Sequence, residues 1–141
     1  MTAPEASAPR PEPGDTMPPF ERHITTNEIM AYGAATWDWH RMHYDLEYAR
    51  SLGLPNVVLD GQSLGALFAR GIMAWLGPRA FIQKLSFKLR SMVFPGNTLR
   101  CEGEVTSVEP ADGASIVTVS QRLRVGDRLA ADAVTEVRLP R

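Results

Sequence analysis

Apolar and polar residues follow two different periods along the chain, and the period changes near Pro78. Over about residues 61–76, apolar residues recur at steps of three and four, which is typical of one face of a helix. Gly61, Gly65 and Ala69 add a row of small residues at spacing four on this helix. Such a row lets a helix pack closely against a sheet, despite a cost of about 1 kcal/mol for each helical glycine.

After Pro78 the period is two, which predicts strands. Apolar and polar residues alternate near residues 84–90 and 99–105, and further runs cover about 115–124 and 128–139. Turn compositions rich in proline, glycine, asparagine and aspartate separate these runs. Helices followed by closely spaced strands predict an α+β domain with an antiparallel sheet.

Three shorter signals organise the first half of the chain. Thr25–Glu28 has the pattern of a capping box that begins a short helix. Asp45 is a good N-cap for a second short helix, which should end near Gly53. Residues 1–19 hold six of the eleven prolines and almost nothing apolar, which predicts a disordered leader. The folded domain is therefore predicted at residues 20–141.

Length, charge and cysteine content narrow the function. A chain of 141 residues is one domain on size grounds, and its 15 basic and 16 acidic residues lack the basic excess of nucleic-acid binders. The single cysteine, Cys101, excludes an internal disulfide and favours a reducing compartment. No apolar run approaches the roughly 18 residues of a membrane span, and no secretory signal is visible. We expect a cytoplasmic protein that selects its ligand through a pocket.

The candidate chemistry lies between the two short predicted helices. Asp38 and His43 stand five residues apart in a segment predicted to be a loop, where functional groups tend to lie. A histidine exchanges a proton near neutral pH, and a carboxylate beside it orients the ring or relays a proton itself. The flanking residues Trp37 and Trp39 are expected to desolvate the pair and shift both pKa values.

The same residues also fit two alternatives. Asp38 is a candidate helix cap, with His43 as a hydrogen-bonded buried histidine. Together with His40 and Asp45 they are candidate metal ligands, but a zinc site normally needs three protein ligands and His23 is the only further histidine. We expect no metal.

Several motifs in sequence order resemble one known family. Asp38–His43, which reads DWHRMH, resembles the D-x-N-P-x-H signature of the MaoC-like (R)-specific enoyl-thioester hydratases and dehydratases of the hot-dog superfamily. Residues 60–62 (DGQ) are similar to the His-Gly-Met that opens the central helix of this family. Residues 85–88 and 94–99 are similar to its SFK strand and FPGDTL turn. The resemblance spans about residues 20–139.

Three positions depart from the pattern of the family. His40 and Arg41 replace the asparagine and proline of the signature, and Asp60 replaces the usual histidine before the helix glycine. Ala69 replaces a serine often found eight positions after that glycine. The first departure affects the ordering of the loop, where His40 is a candidate to take over the hydrogen bonding of the asparagine.

The resemblance implies a hot-dog fold, in which the sheet wraps the long helix, and a homodimer or a heteromer with a related hot-dog chain. It implies a lyase that interconverts 2-enoyl and 3-hydroxyacyl thioesters of CoA or an acyl carrier protein, without a cofactor. Asp38 and His43 are then the catalytic pair. The backbone N–H of Gly61 donates to the thioester oxygen, and His40 and Trp39 support the loop or the substrate.

Two other functions remain open. A hot-dog thioesterase uses the same helix N-terminus, usually with a carboxylate on or near the helix, and there is no Asp or Glu between Gly61 and Trp75. A non-catalytic partner subunit of a heteromeric hydratase is expected to have lost Asp38 or His43, and this chain keeps both.

Overall fold

The computed structural model describes residues 9–141. Its regular elements are three α-helices and five strands, and all three helices come before four of the five strands. The helices are α1 (Thr26–Thr36), α2 (Leu46–Ser51) and α3 (Gly61–Leu76). The strands are β1 (Thr16–His23), β2 (Phe81–Leu89), β3 (Thr98–Ala111), β4 (Ala114–Val125) and β5 (Arg128–Pro140).

The strands form one antiparallel sheet in the order β1-β3-β4-β5-β2, so β1 and β2 are its edges. Helix α3 contacts both edge strands and also β3 and β5. A single helix touches both edges only if the sheet curves around it. This is the hot-dog fold that the resemblance implies, and it confirms the predicted α+β class.

Glycine allows α3 to lie this close to the sheet. A Cβ atom on Gly65 would stand 2.6 Å from a ring carbon of Phe87, and one on Gly71 would stand 2.9 Å from the sulfur of Met17. A side chain at either position would force Phe87 or Met17 to shift, so glycine allows the close packing seen here.

A buried polar network ties α3 to the middle of the sheet. Nε2 of Gln121, on β4, donates to the backbone carbonyl of Phe68 at 3.1 Å. The Thr135 hydroxyl, on β5, donates to Oε1 of Gln121 at 2.7 Å. Gln121 and Thr135 are both fully buried among apolar side chains. Because their polar atoms are paired, the network fixes the helix on the sheet without an unsatisfied group.

The predicted disordered leader, residues 1–19, extends too far, because its last residues belong to a strand. Strand β1 begins at Thr16 and pairs with β3, and the side chain of Met17 is only 1% exposed. Pro18 and Pro19 fall where the pairing register shifts, and an edge strand tolerates proline because one of its sides needs no partner. The first eight residues of the predicted leader lie outside the described residues.

The other predicted boundaries are close to those observed. Thr25 and Glu28 form the predicted capping box. The helix that follows was predicted to be short, and α1 extends over 11 residues to Thr36. Asp45 caps α2, as predicted. Within residues 9–141, no helix is both long and apolar enough to cross a membrane.

Candidate active site

The loop that carries Asp38 begins at a left-handed residue. Helix α1 ends at Thr36, its C-cap Trp37 has a φ of 58°, and the Asp38 N–H then donates to the carbonyl of Gly33 at 2.9 Å. A Cβ atom on Gly33 would stand 3.1 Å from the Asp38 carbonyl oxygen, so the close turn favours glycine there. Asp38 therefore follows the end of a helix and does not cap the start of one.

His43 lies in a single turn of 3-10 helix, Arg41–His43. Its Nδ1 atom is 2.6 Å from the carbonyl oxygen of Val58. A carbonyl only accepts hydrogen bonds, so Nδ1 carries the proton and Nε2 of the neutral ring carries the lone pair. Nε2 faces Oδ2 of Asp38 at 3.8 Å. The structure thus brings together the two residues of the predicted pair.

His40 supports both sides of this loop. Its backbone N–H donates to Oδ1 of Asp38 at 3.1 Å, and its Nδ1 accepts the N–H of Met42 at 3.3 Å. Arg41 forms an ion pair with Asp45 at 2.7 Å. His40 therefore makes the contacts that hold Asp38 in place, whereas the Arg41–Asp45 pair lies near the surface, where an ion pair contributes little.

Hydrogen bonding controls the ionisation of Asp38. The bond from the His40 amide is the largest influence that lowers its pKa, followed by a side-chain hydrogen bond with Asp60. The flanking tryptophans do not bury Asp38, because Trp37 is 78% exposed, Trp39 is 45% exposed and the Asp38 side chain itself is 39% exposed. The expectation that they desolvate Asp38 is therefore wrong.

Trp39 lies in a group of exposed aromatic side chains next to the pair. Its ring stands 5.5 Å from that of Trp37 and 6.4 Å from that of Tyr44, both in edge-to-face geometry. Edge-to-face packing of this kind stabilises aromatic rings. It leaves an apolar surface beside Asp38.

Asp60 is a third member of the site that the sequence interpretation missed. One side-chain atom from each of Asp38, His43 and Asp60 lies within 4.8 Å of the others. Asp60 is 9% exposed and is the N-cap of α3, where its Oδ1 accepts the N–H of Gln62 at 2.8 Å. The sequence had marked Asp60 only as the residue that replaces a histidine of the family pattern directly before Gly61.

The donor set of this cluster, two carboxylates and one imidazole, is also one that a divalent cation accepts. It differs from the metal set considered from sequence, because His23 hydrogen-bonds to Thr98 and Asp45 caps α2. Nδ1 of His43 is already engaged by Val58. The arrangement of a base next to a pair of carboxyl groups is equally suited to moving protons.

A cavity of about 360 Å³ opens beside His43 and Gly61. Leu64, Leu89 and Val93 supply apolar parts of its wall. Within residues 9–141, the Gly61 N–H donates no hydrogen bond, since it is the first amide of α3 and Asp60 accepts the next one, from Gln62. The cavity therefore joins a free helix N-terminus to an apolar wall and to His43 of the acid/base pair.

The family of the chain follows from comparison with known sequences. The sequence model of the family described as "MaoC like domain" matches residues 10–126, most of the chain. The chain belongs to this MaoC-like family of hydratases and dehydratases, which are lyases.

Individual relatives agree with this assignment. The chain is 26% identical to the beta subunit of 3-oxo-4,17-pregnadiene-20-carboxyl-CoA hydratase of Mycobacterium tuberculosis, over 89% of this chain and 95% of that protein. It is 32% identical to a mitochondrial 3-hydroxyacyl-[acyl-carrier-protein] dehydratase of Arabidopsis thaliana, over 55% of this chain and 46% of that protein. The crystal structure of an (R)-hydratase of A. caviae involved in PHA biosynthesis shares the fold, with a TM-score of 0.83, 24% identity, and coverage of 92% of this chain and 97% of that one.

Proposed function

We propose that this chain adds water across the C2=C3 bond of a 2-enoyl thioester and catalyses the reverse dehydration of a 3-hydroxyacyl thioester. The observation that carries the proposal is Nε2 of His43 facing Oδ2 of Asp38 at 3.8 Å, next to the cavity at the start of α3. Hydration needs a base for water, an acid for C2 and a hydrogen-bond donor for the thioester oxygen. Each of these has a candidate at this place.

His43 is the base that takes a proton from water. Its Nδ1–H is committed to the Val58 carbonyl, so the lone pair on Nε2 is the one available for the proton. The side chain is 13% exposed, which limits competition from bulk solvent. Asp38 is the group that gives a proton to C2. In the dehydration direction the two roles are reversed.

The backbone N–H of Gly61 is the donor to the thioester oxygen. Negative charge builds on that oxygen as an enolate when water attacks C3, and a preorganised donor stabilises it. Gly61 is the first residue of α3, where free N–H groups and the positive end of the helix dipole coincide. The absence of a side chain lets the thioester approach the backbone closely.

The other proposed site residues act around this centre. His40 keeps Asp38 in place through its backbone N–H. Trp39 offers an apolar surface to the part of the substrate that extends out of the cavity. The substrate is a thioester of CoA or of an acyl carrier protein, and the apolar wall of the cavity suits its acyl group.

We infer that the chain works as a pair of hot-dog subunits, either with a second copy or with a related chain. Strand β2 is an edge of the sheet, and its residues Phe81 and Leu89 are 65% and 54% exposed. An uncovered apolar edge strand favours pairing. Light scattering at micromolar concentration should give at least twice the chain mass, and a mass of 15.6 kDa would contradict the inference.

The hydratase is tested with crotonyl-CoA and with a crotonyl acyl carrier protein. Purified chain should remove the enone absorbance of one of them without releasing free thiol, since hydration leaves the thioester intact. Release of thiol at the same rate would show a thioesterase instead. His43→Ala serves as the inactive control for both assays.

A partner subunit with little activity of its own is the second candidate. It is favoured by the likeness to a beta subunit, over 89% of this chain. In that case the purified chain would leave crotonyl thioesters unchanged, and hydration would appear only when a second hot-dog chain is present. Loss of that activity on Asp38→Asn would still place the acid/base site in this chain.

A further inference from the structure

A buried carboxylate without a cation lies next to the acid/base pair. Asp60 is 9% exposed, and one of its carboxyl oxygens lies within 4.8 Å of an oxygen of Asp38 and of a ring nitrogen of His43. The ion pairs formed by residues 9–141 give Asp60 no lysine or arginine partner. An unpaired buried carboxylate is costly, and two adjacent carboxylates of the same charge add repulsion. Both costs fall if the two groups share one proton.

We propose that Asp60 is a positioning residue that keeps one proton on the Asp38–Asp60 pair, and that Asp38 delivers this proton to the substrate carbon. The proposal rests on the hydratase function. It adds a third residue to the Asp38–His43 pair, one that keeps a proton available to Asp38. Hydration requires an acid in the resting site, and an isolated Asp38 is mainly a carboxylate at neutral pH.

The surrounding groups agree with a shared proton. The His40 amide and then a side-chain hydrogen bond with Asp60 lower the pKa of Asp38, and two carboxyl groups can hydrogen-bond to each other only if one proton lies between them. From α1, Tyr32 faces the same carboxyl groups, and burial followed by the negative charge of this carboxyl pair raises its pKa. Tyr32 therefore stays a neutral phenol. His43 is the one group of the cluster that can become a cation during the reaction.

The protons balance over one turnover. Water adds its oxygen to C3 while its proton moves to Nε2 of His43, and the electrons of the C2=C3 bond move to C2. The proton of the carboxyl pair bonds to C2 through Asp38, which leaves both carboxylates charged next to an imidazolium. The imidazolium then returns its proton across the 3.8 Å between Nε2 and Oδ2 of Asp38. The site is restored with one water added to the substrate.

The test compares two capping aspartates. Asp60→Asn keeps a side chain that caps α3, because asparagine is as good an N-cap as aspartate, and it removes the ionisable group. Asp45→Asn makes the same change at the cap of α2, outside the cluster, and should alter kcat by less than about twofold. For Asp60→Asn we expect kcat to fall on the order of 10²-fold, with KM changed much less.

The pH profile separates this role from a structural one. The last proton shared by two carboxyl groups leaves the pair at a higher pH than the proton of a single carboxyl group, such as Asp38 in Asp60→Asn. The alkaline limb of the kcat profile for hydration should therefore move to lower pH in Asp60→Asn and stay in place in Asp45→Asn. An unchanged kcat and an unchanged profile in Asp60→Asn would overturn the proposal.

Infrared spectroscopy tests the shared proton without relying on turnover. The wild-type chain and Asp45→Asn should show a protonated-carboxyl C=O stretch at neutral pH that is missing in Asp60→Asn. If the wild type lacks this band, the proposal fails even when hydration is fast. If the band is present and crotonyl thioesters are not hydrated, the shared proton stands and the hydratase function fails.

Discussion

The carbonyl oxygen of Val58 lies 2.6 Å from Nδ1 of His43 and decides which ring nitrogen is free. Because the backbone carbonyl accepts the Nδ1 proton, the lone pair of the neutral ring lies on Nε2, on the side of Asp38. Val58 directly precedes the segment that leads into α3. The same stretch of backbone therefore orients the base and leads to the helix N-terminus.

The first prediction concerns the acid/base pair itself. Each of His43→Ala and Asp38→Asn should reduce hydration at least 10²-fold, since general acid/base groups contribute about 10²–10⁴-fold each. Steady-state rates with a crotonyl thioester provide the measurement, and circular dichroism checks the fold. His23→Ala is a matched control on β1, where the only hydrogen bond of the ring within residues 9–141 is with the Thr98 hydroxyl. Wild-type rates in either pair variant would remove the assignment.

The second prediction concerns the oxyanion donor. A Cβ atom on Gly61 would run into the Leu89 side chain, which is 54% exposed and can rotate away. Gly61→Ala should therefore fold normally but lose on the order of 10²-fold in rate, because the added methyl group blocks the thioester. Active-site titration gives the rate per folded site.

A double variant isolates the cause of that loss. Gly61→Ala with Leu89→Ala has room for the methyl group but still places it next to the thioester. We expect the double variant to remain slow. Recovery to the wild-type rate per site would mean that Gly61 matters for packing alone.

The third prediction concerns the N-terminal boundary of the folded domain. A chain that starts at Phe20 loses the buried Met17 and the pairing of Thr16 and Met17 with β3, so its melting temperature should fall by many degrees. Met17→Ala alone should cost about 2–5 kcal/mol, the usual range for a buried methionine. Thermal unfolding measures both. A chain that starts at Pro9 should unfold like the full chain, and equal stability of the Phe20 chain would refute the role of β1.

The fourth prediction concerns the polar link under α3. Gln121→Leu removes the acceptor of the Thr135 hydroxyl and the donor to the Phe68 carbonyl, and it should cost about 1–3 kcal/mol because a buried group is left unpaired. Adding Thr135→Val to Gln121→Leu should recover part of that loss, since both partners are then apolar. Urea unfolding of the four chains of this cycle gives the coupling free energy. Strictly additive losses would show that the two side chains act independently.

The periodic part of the fold could be predicted from the chain alone. The 3.6-residue period gave α3 within about one residue, and the two-residue period gave four of the five strands. The capping residues Thr25 and Asp45 also act as predicted. These features depend on local hydrogen bonding and on which face of an element is apolar, and both are encoded by near neighbours in the sequence.

Strand β1 could not be predicted in this way. Its segment is rich in proline, and its only buried apolar anchor within Thr16–Pro19 is Met17. The stability of the strand comes from β3, about 85 residues later in the chain, and from contact with α3. A local pattern carries no information on such a partner.

The sequence by itself determined the family, the predicted pair of Asp38 and His43, and the glycine at the start of the long helix, because motif residues lie at fixed spacings. Only the tertiary structure decided how these groups meet. It brought Asp60 next to the pair, turned Nε2 of His43 toward Asp38 and left the tryptophans exposed. Each of these depends on distances between atoms of separate elements. Those distances are set when α3 packs into the sheet, and no spacing along the chain specifies them.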